Sequence, residues 1–266
     1  MTADPQGTPV FETIQYETSA DHVATITLNR PDRMNAFNDA MIADFREVWR
    51  IVREDSDVRA VVLRANGDRA FSAGLDVVEG RTRPDSVWDV TDPGQDLAPK
   101  ANEVWTPVVC AVHGMCAGGA MYWVNESDIV ICADDAMFFD PHVTYGMTSV
   151  FEPVDMARTV PMREALRMAL LGLDERMSAK RALEIGLVSE VVPREELWAR
   201  AHELAAIIAD KPAVATQGTV KAFWQSLDMP RAQAHSVGMH FVQIGNPIGT
   251  AEVDRASRPR PKWRLR

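Results

Sequence analysis

Ala111-Val-His-Gly-Met-Cys-Ala-Gly-Gly-Ala-Met-Tyr122 is the stretch on which the fold turns. A short apolar run, 107–112, leads into it and reads as a buried strand. Gly118-Gly119-Ala120 then opens a helix, so the stretch is a strand-to-helix turn. Working outward, a similar buried strand at 59–64 precedes it, and another at 128–133 follows the helix. Strand–helix–strand alternation at these lengths implies right-handed crossovers and a mainly parallel sheet in an α/β fold.

Further from the turn, period-two apolarity in 11–18 and 23–28, split by Ser-Ala-Asp-His, predicts a hairpin of half-buried strands. Asn38 can cap a helix running to about residue 53, with Met41, Ile42, Phe45, Val48, Ile51 and Val52 at helical spacing. Residues 79–104 form a long polar stretch rich in Pro, Asp and Arg, of the kind that is commonly functional in a compact domain. Helices are expected over 164–171, 179–185, 194–209 and 212–226, interrupted by a strand at 187–192. The chain therefore divides into a sheet-based core, 1–200, and a helical region, 201–266, packing on it. No internal repeat or low-complexity tract is visible.

The whole sequence has 266 residues, 46% of them hydrophobic and 25% charged, with a formal net charge of −10. An acidic chain gains nothing from phosphate neutralisation, which disfavours a general nucleic-acid role. A basic tail stands against that average: residues 255–266 hold five Arg and one Lys and no acid. It reads either as a solvated terminus or as a dock for an anionic group such as a ligand phosphate. Cys110, Cys116 and Cys132 sit in apolar runs without zinc or disulfide spacing, as small core residues of a reducing compartment. The N-terminus lacks the basic start and apolar stretch of a signal peptide, and no run approaches a membrane span. The expectation is a cytoplasmic protein with no metal site.

Two glycine turns carry the chemistry. In Ala70-Phe-Ser-Ala-Gly-Leu-Asp76, Gly74 permits a backbone conformation that turns successive N–H groups outward. In the second turn, N–H groups at the helix start have no internal partner and carry partial positive charge. Two such donors converging on one oxygen make an oxyanion hole. Either turn alone could equally cradle a phosphate or permit close packing. Neither is a dinucleotide fingerprint, and no Gly-Lys-Ser/Thr marks a P-loop.

Taken in order, the motifs resemble a known family. Leu28-Asn-Arg-Pro-Asp-Arg-Met-Asn-Ala-Phe37, the two glycine turns, Asp128-Ile-Val-Ile-Cys-Ala133, Met177-Ser-Ala-Lys-Arg-Ala-Leu-Glu-Ile-Gly-Leu-Val188 and Lys211-Pro212 look like the enoyl-CoA hydratase/isomerase, or crotonase, superfamily. The resemblance runs from about Val10 to the end. It implies a spiral of ββα units, a C-terminal helical trimerisation region, and assembly as a trimer or hexamer. It also implies an acyl-CoA substrate and no separate cofactor, coenzyme A entering as part of that substrate. The N–H groups of Leu75 and Gly119 would form the oxyanion hole. Met34, Ala36, Ala73, Leu75, Asp76 and Gly119 would contact the thioester and its coenzyme A.

The chain departs from the family where the acid/base groups stand. Typical hydratases of the family place one glutamate three residues after the oxyanion-hole glycine and a second after a proline. The matching residues here are Tyr122 and His142. Tyr122 shares a helix face with Gly119 and can donate a hydrogen bond or fill space. His142 titrates near neutrality and is the candidate acid/base. Asp140 and Glu152 are the carboxylates that could orient it, activate water or act as base. His113 reads as packing. Three readings follow: enolate chemistry on an acyl-CoA other than two-glutamate hydration, a hydratase with substitute residues, or a non-catalytic acyl-CoA-binding homologue.

Overall fold

The computed structural model describes residues 10–80, 86, 88, 92–256 and 263–266. Two sheets form the core. The larger is built from β1 (Ile14–Thr18), β2 (Val23–Leu28), β3 (Ala60–Ala65), β5 (Val108–Val112), β7 (Ile129–Ala133) and β10 (Glu190–Val192), in the order β1-β2-β3-β5-β7-β10. Only β1 pairs antiparallel, and the rest of this sheet is parallel. The smaller sheet orders β4 (Ala70–Ser72), β6 (Met115–Ala117), β8 (Met137–Phe139) and β9 (Met177–Ser178). Each of β3, β5 and β7 is thus followed directly by a short strand of the second sheet, which is the spiral the resemblance implies.

The helices are α1 (Asp39–Glu54), α2 (Met121–Glu126), α3 (Phe151–Met156), α4 (Met162–Leu171), α5 (Ala179–Ile185), α6 (Leu197–Ala209), α7 (Ala213–Ser226) and α8 (Arg231–Ala251). Asn38 caps α1 as expected, accepting from the Met41 N–H at 3.0 Å. Met41, Phe45, Val48, Trp49 and Val52 of α1 are buried against the inner face of the large sheet and Trp123 of α2. On the outer face, Leu197, Ala201, Ala205 and Ala209 of α6 pack against Val62, Val109 and Ile131. The small side chains every fourth residue let α6 lie close to the strands.

Several boundaries differ from the sequence expectation, each for a local reason. The first strand begins at Ile14, because Asp44 takes the Glu12 and Thr13 N–H groups before sheet pairing starts. The strand expected at 187–192 shortens to β10, since the N–H groups of Leu187 and Val188 close the end of α5 onto Ala182. Helix α6 runs through residue 200 and packs on the sheet, so the sheet-bound part extends to Ala209. Helices α7 and α8 then form the appendage. They pack chiefly on each other, Gly245 and Gly249 lying against Val214. Part of the 79–104 stretch and part of the basic tail lie outside the described residues. Among those described, no helix is long and apolar enough to cross a membrane.

Candidate active site

Residues 34–37 and 73–76 run side by side. The Ala73 N–H donates to Met34 O at 3.0 Å, the Phe37 N–H to Gly74 O at 2.8 Å, and the Asp76 N–H to Phe37 O at 2.8 Å. Met34, Ala36, Ala73, Leu75 and Asp76 are thereby brought together. In such a pairing Phe37 is served by the residues flanking Leu75, so the N–H of Leu75 points the other way. On that side the chain comes close to the second glycine turn through Gly74. A Cβ at Gly74 would lie 2.7 Å from the Ala117 carbonyl oxygen and 3.1 Å from the Gly119 nitrogen. Only glycine allows that approach, and its φ of +84° requires glycine as well.

Gly118–Ala120 forms a 3-10 turn continuous with α2, so the Gly119 N–H lies in a first turn with no intrahelical acceptor. The Phe37 ring closes the floor: a Cβ at Gly119 would meet it at 2.6 Å. Asp76 is buried and occupied. Its carboxylate accepts from the Val78 and Glu79 N–H groups and pairs with Arg30 at 3.1 Å. Its backbone is engaged as well, since the carbonyl accepts the Gly80 N–H at 2.8 Å, so Asp76 shapes the turn.

Tyr122 lies on the Gly119 face of α2, as expected, and is 8% exposed. Its hydroxyl donates to Asp92 Oδ2. Burial, then the nearby Glu152 charge and the bond to Asp92, push the phenol far up, so it stays neutral. His142 stands beside the other glycine, its Cε1 3.7 Å from a Cβ placed at Gly118. The chain is not extended between Asp140 and His142, because Pro141 takes helical dihedral angles. His142 starts a 3-10 turn (His142–Tyr145), and Asp140 folds over it. Asp140 Oδ1 accepts both the His142 N–H, at 3.0 Å, and Nδ1, at 2.5 Å. Ser149 Oγ donates to the other oxygen, Oδ2.

With Nδ1 committed to Asp140, the neutral ring presents Nε2 as an acceptor. Nε2 lies 3.9 Å from Glu152 Oε1, too far for a hydrogen bond and open to a bridging group. The hydrogen bond to Asp140, aided by the Glu152 charge, raises the His142 pKa against the opposing effect of burial. Burial alone would raise Asp140, but the bonds from His142 and Ser149 outweigh it and hold the carboxyl low. Burial raises Glu152, and the Asp140 and Asp92 charges push the same way. Two carboxyls with oppositely shifted pKa values therefore bracket one imidazole, an arrangement suited to moving a proton.

Sequence reasoning missed Asp92, Ser149 and Asn125. Asn125 continues the Gly119–Tyr122 face and donates to the Glu152 carbonyl at 2.9 Å, fixing α3 on α2. Asp-Pro-Gly at 92–94 carried a turn signal, but nothing in it pointed to Tyr122. No group of His, Cys, Asp and Glu among the described residues is placed to hold a metal ion.

The spiral of two sheets, with two glycine turns meeting beside a flanked histidine, defines an α/β protein of the spiral class implied above. Residues 18–243 match the family model described as enoyl-CoA hydratase/isomerase, and the chain belongs to that family. It is similar to an (E)-benzylidenesuccinyl-CoA hydratase of Thauera aromatica, 32% identical over 79% of this chain and 82% of the relative. It is also similar to the mitochondrial Delta(3,5)-Delta(2,4)-dienoyl-CoA isomerase of Rattus norvegicus, 32% identical over 79% of this chain and 68% of the relative. Among solved structures, an enoyl-CoA hydratase/isomerase from Mycobacterium paratuberculosis superposes with a TM-score of 0.81 at 38% identity, covering 93% of each chain.

Proposed function

We propose that this chain is an acyl-CoA enzyme that polarises the thioester carbonyl with the N–H groups of Leu75 and Gly119 and moves the proton with His142. Met34, Ala36 and Ala73 line the thioester and its coenzyme A. The Asp140–His142–Glu152 array beside Gly118 is the observation that supports this reading most. Asp140 holds the ring in one tautomer and favours its charged form, so His142 can take a proton as charge builds on the thioester oxygen. Glu152, raised by burial, is the group placed to return a proton. Such a set serves enolate chemistry without the two glutamates of ordinary hydration. The reaction calls on no resident cofactor, because the thioester supplies the carbon acidity and the N–H donors supply the electrophile. We further propose a cytoplasmic trimer or hexamer assembled through α7 and α8.

A panel of acyl-CoA thioesters followed by mass spectrometry, with His142→Gln alongside, tests this. Gln cannot carry a proton in the neutral range, so turnover of the true substrate is expected to fall at least ~10²-fold while coenzyme A affinity stays within a few-fold. Crotonyl-CoA hydration is expected to be slow in the parent protein. Full turnover by His142→Gln would make the histidine structural and the proposal wrong.

A further inference from the structure

The turn that carries His142 is short, and none of its residues, His142–Tyr145, is buried. A single 3-10 turn has little stability of its own, so its place is set from outside. Among the described residues, the hydrogen bonds of 142–149 close within 140–149, with one exception. Thr144 Oγ1 accepts the Leu173 N–H at 3.0 Å, which ties the turn to the end of α4. Gly172, between them, is shaped to that contact. It ends α4 at φ +60° and ψ −128°, and a Cβ there would fall 2.1 Å from Thr144 Oγ1 and 3.3 Å from Val143 Cγ2. Glycine alone takes that backbone and leaves room for the threonine.

The two sides of the proton path are supported separately. Glu152 stands on α3, which Asn125 Nδ2 holds against α2 through the Glu152 carbonyl at 2.9 Å. His142 stands on a turn held at one end by Asp140, which directly follows β8, and at the other by Thr144. The 3.9 Å between His142 Nε2 and Glu152 Oε1 therefore spans two parts with different anchors. A turn held at Asp140 alone could pivot about that residue and carry the ring with it. The second anchor removes that freedom.

We propose that Thr144 is a positioning residue for proton transfer: seated against Gly172 and bonded to the Leu173 N–H, it stops the His142 turn from pivoting and keeps Nε2 in line with Glu152 and the thioester. The inference rests on the reading in which His142 moves the proton of an acyl-CoA. It adds the residue, outside the site itself, that holds the imidazole in place.

Deuterium uptake by butyryl-CoA, catalysed by the full chain in deuterium oxide and followed by mass spectrometry, isolates that step. The C–H bond next to the thioester carbonyl breaks, and its electron pair stays on the substrate as the enolate. His142 Nε2 takes the proton, which exchanges with solvent, and a deuteron returns to the carbon. Thr144 is exposed, so Thr144→Val keeps the shape and removes only the hydroxyl. It should lower the saturated rate roughly ten- to a hundredfold, as a small misplacement of a catalytic group does, with KM within about twofold. Thr144→Ser keeps the hydroxyl and should restore the rate to within about threefold of the parent. A merely structural Thr144 would lower thermal stability and leave the rate per folded molecule unchanged, which would overturn the proposal. A rise in KM alone, or a serine variant as slow as the valine one, would overturn it too. No uptake by the parent protein, or full uptake by His142→Gln, would instead end the reading of His142 itself, and this inference with it.

Discussion

His142 owes its chemistry to a residue two places away. Because the Asp140 hydrogen bond raises its pKa, the acid limb of the kcat/KM profile should sit above the ordinary imidazole value of about 6.5. Asp140→Asn removes the stabilising charge, so the limb is expected to move to lower pH, which a pH–rate series measures directly. His113 behaves in the opposite way. It is 1% exposed, and neither ring nitrogen finds a partner of good geometry among the described residues. Burial, and then the Arg194 charge, push it down to about 4, the Gly67 backbone offsetting only part. Between pH 6.5 and about 4 the unfolded chain binds a proton at His113 that the folded chain refuses, so acidification through that window costs stability. The full loss is roughly 3 kcal/mol. Urea titrations of the parent protein and His113→Phe at pH 7 and pH 4.5 should show a smaller acid loss in the variant. An equal loss would remove His113 from the account.

At the scale of elements, one partly buried carboxylate ties β5 and α7 to Lys100. Asp128 Oδ2 accepts the Val108 N–H at the start of β5 and Lys100 Nζ, both at 2.8 Å, and Oδ1 accepts Trp224 Nε1 of α7 at 2.7 Å. Burial lowers the Lys100 pKa, and Asp128 offsets part of that. Removing the carboxylate leaves an ammonium without its counter-charge, so Asp128→Ala should cost about 3–5 kcal/mol by chemical denaturation. Adding Lys100→Met should recover part of it, since the uncompensated charge is then gone. Elements of this kind differ in how much the sequence reveals. The buried strands of the large sheet and helix α1 were legible, because apolar period and a capping Asn are local signals. Strands β4, β6 and β8 have three residues each, too few to show a period, and β4 and β6 were readable only as the glycine turns they adjoin. The same division runs through the site. Gly74, Gly119 and His142 were readable through motif and resemblance, whereas Asp92 reaches Tyr122 from a turn thirty residues away. No local pattern encodes that contact.

The whole molecule ends in an arm with little to cover it. No residue of α7 is buried, and α8 buries only Gly245 and Gly249. Phe223, Leu227, Met239, Ile244 and Ile248 are exposed along this arm. An exposed apolar surface of that kind is what the proposed assembly would cover. Light scattering should therefore give the mass of a trimer or hexamer. Phe223→Asp with Ile244→Asp should lower it towards the monomer while the far-ultraviolet circular dichroism stays helical. A parent protein that remains monomeric at micromolar concentration would refute the assembly.

The clustered residues Asp140, His142, Ser149 and Glu152 share one short stretch of chain, 140–152, whereas Leu75 and Gly119 stand on two others. Such a division is modular. Under the proposed function, a gene carrying a different version of that stretch would keep the means of activating a thioester and change what happens to it afterwards. Under that reading, changes confined to residues 140–152 alter the reaction without rebuilding the turns that meet the thioester.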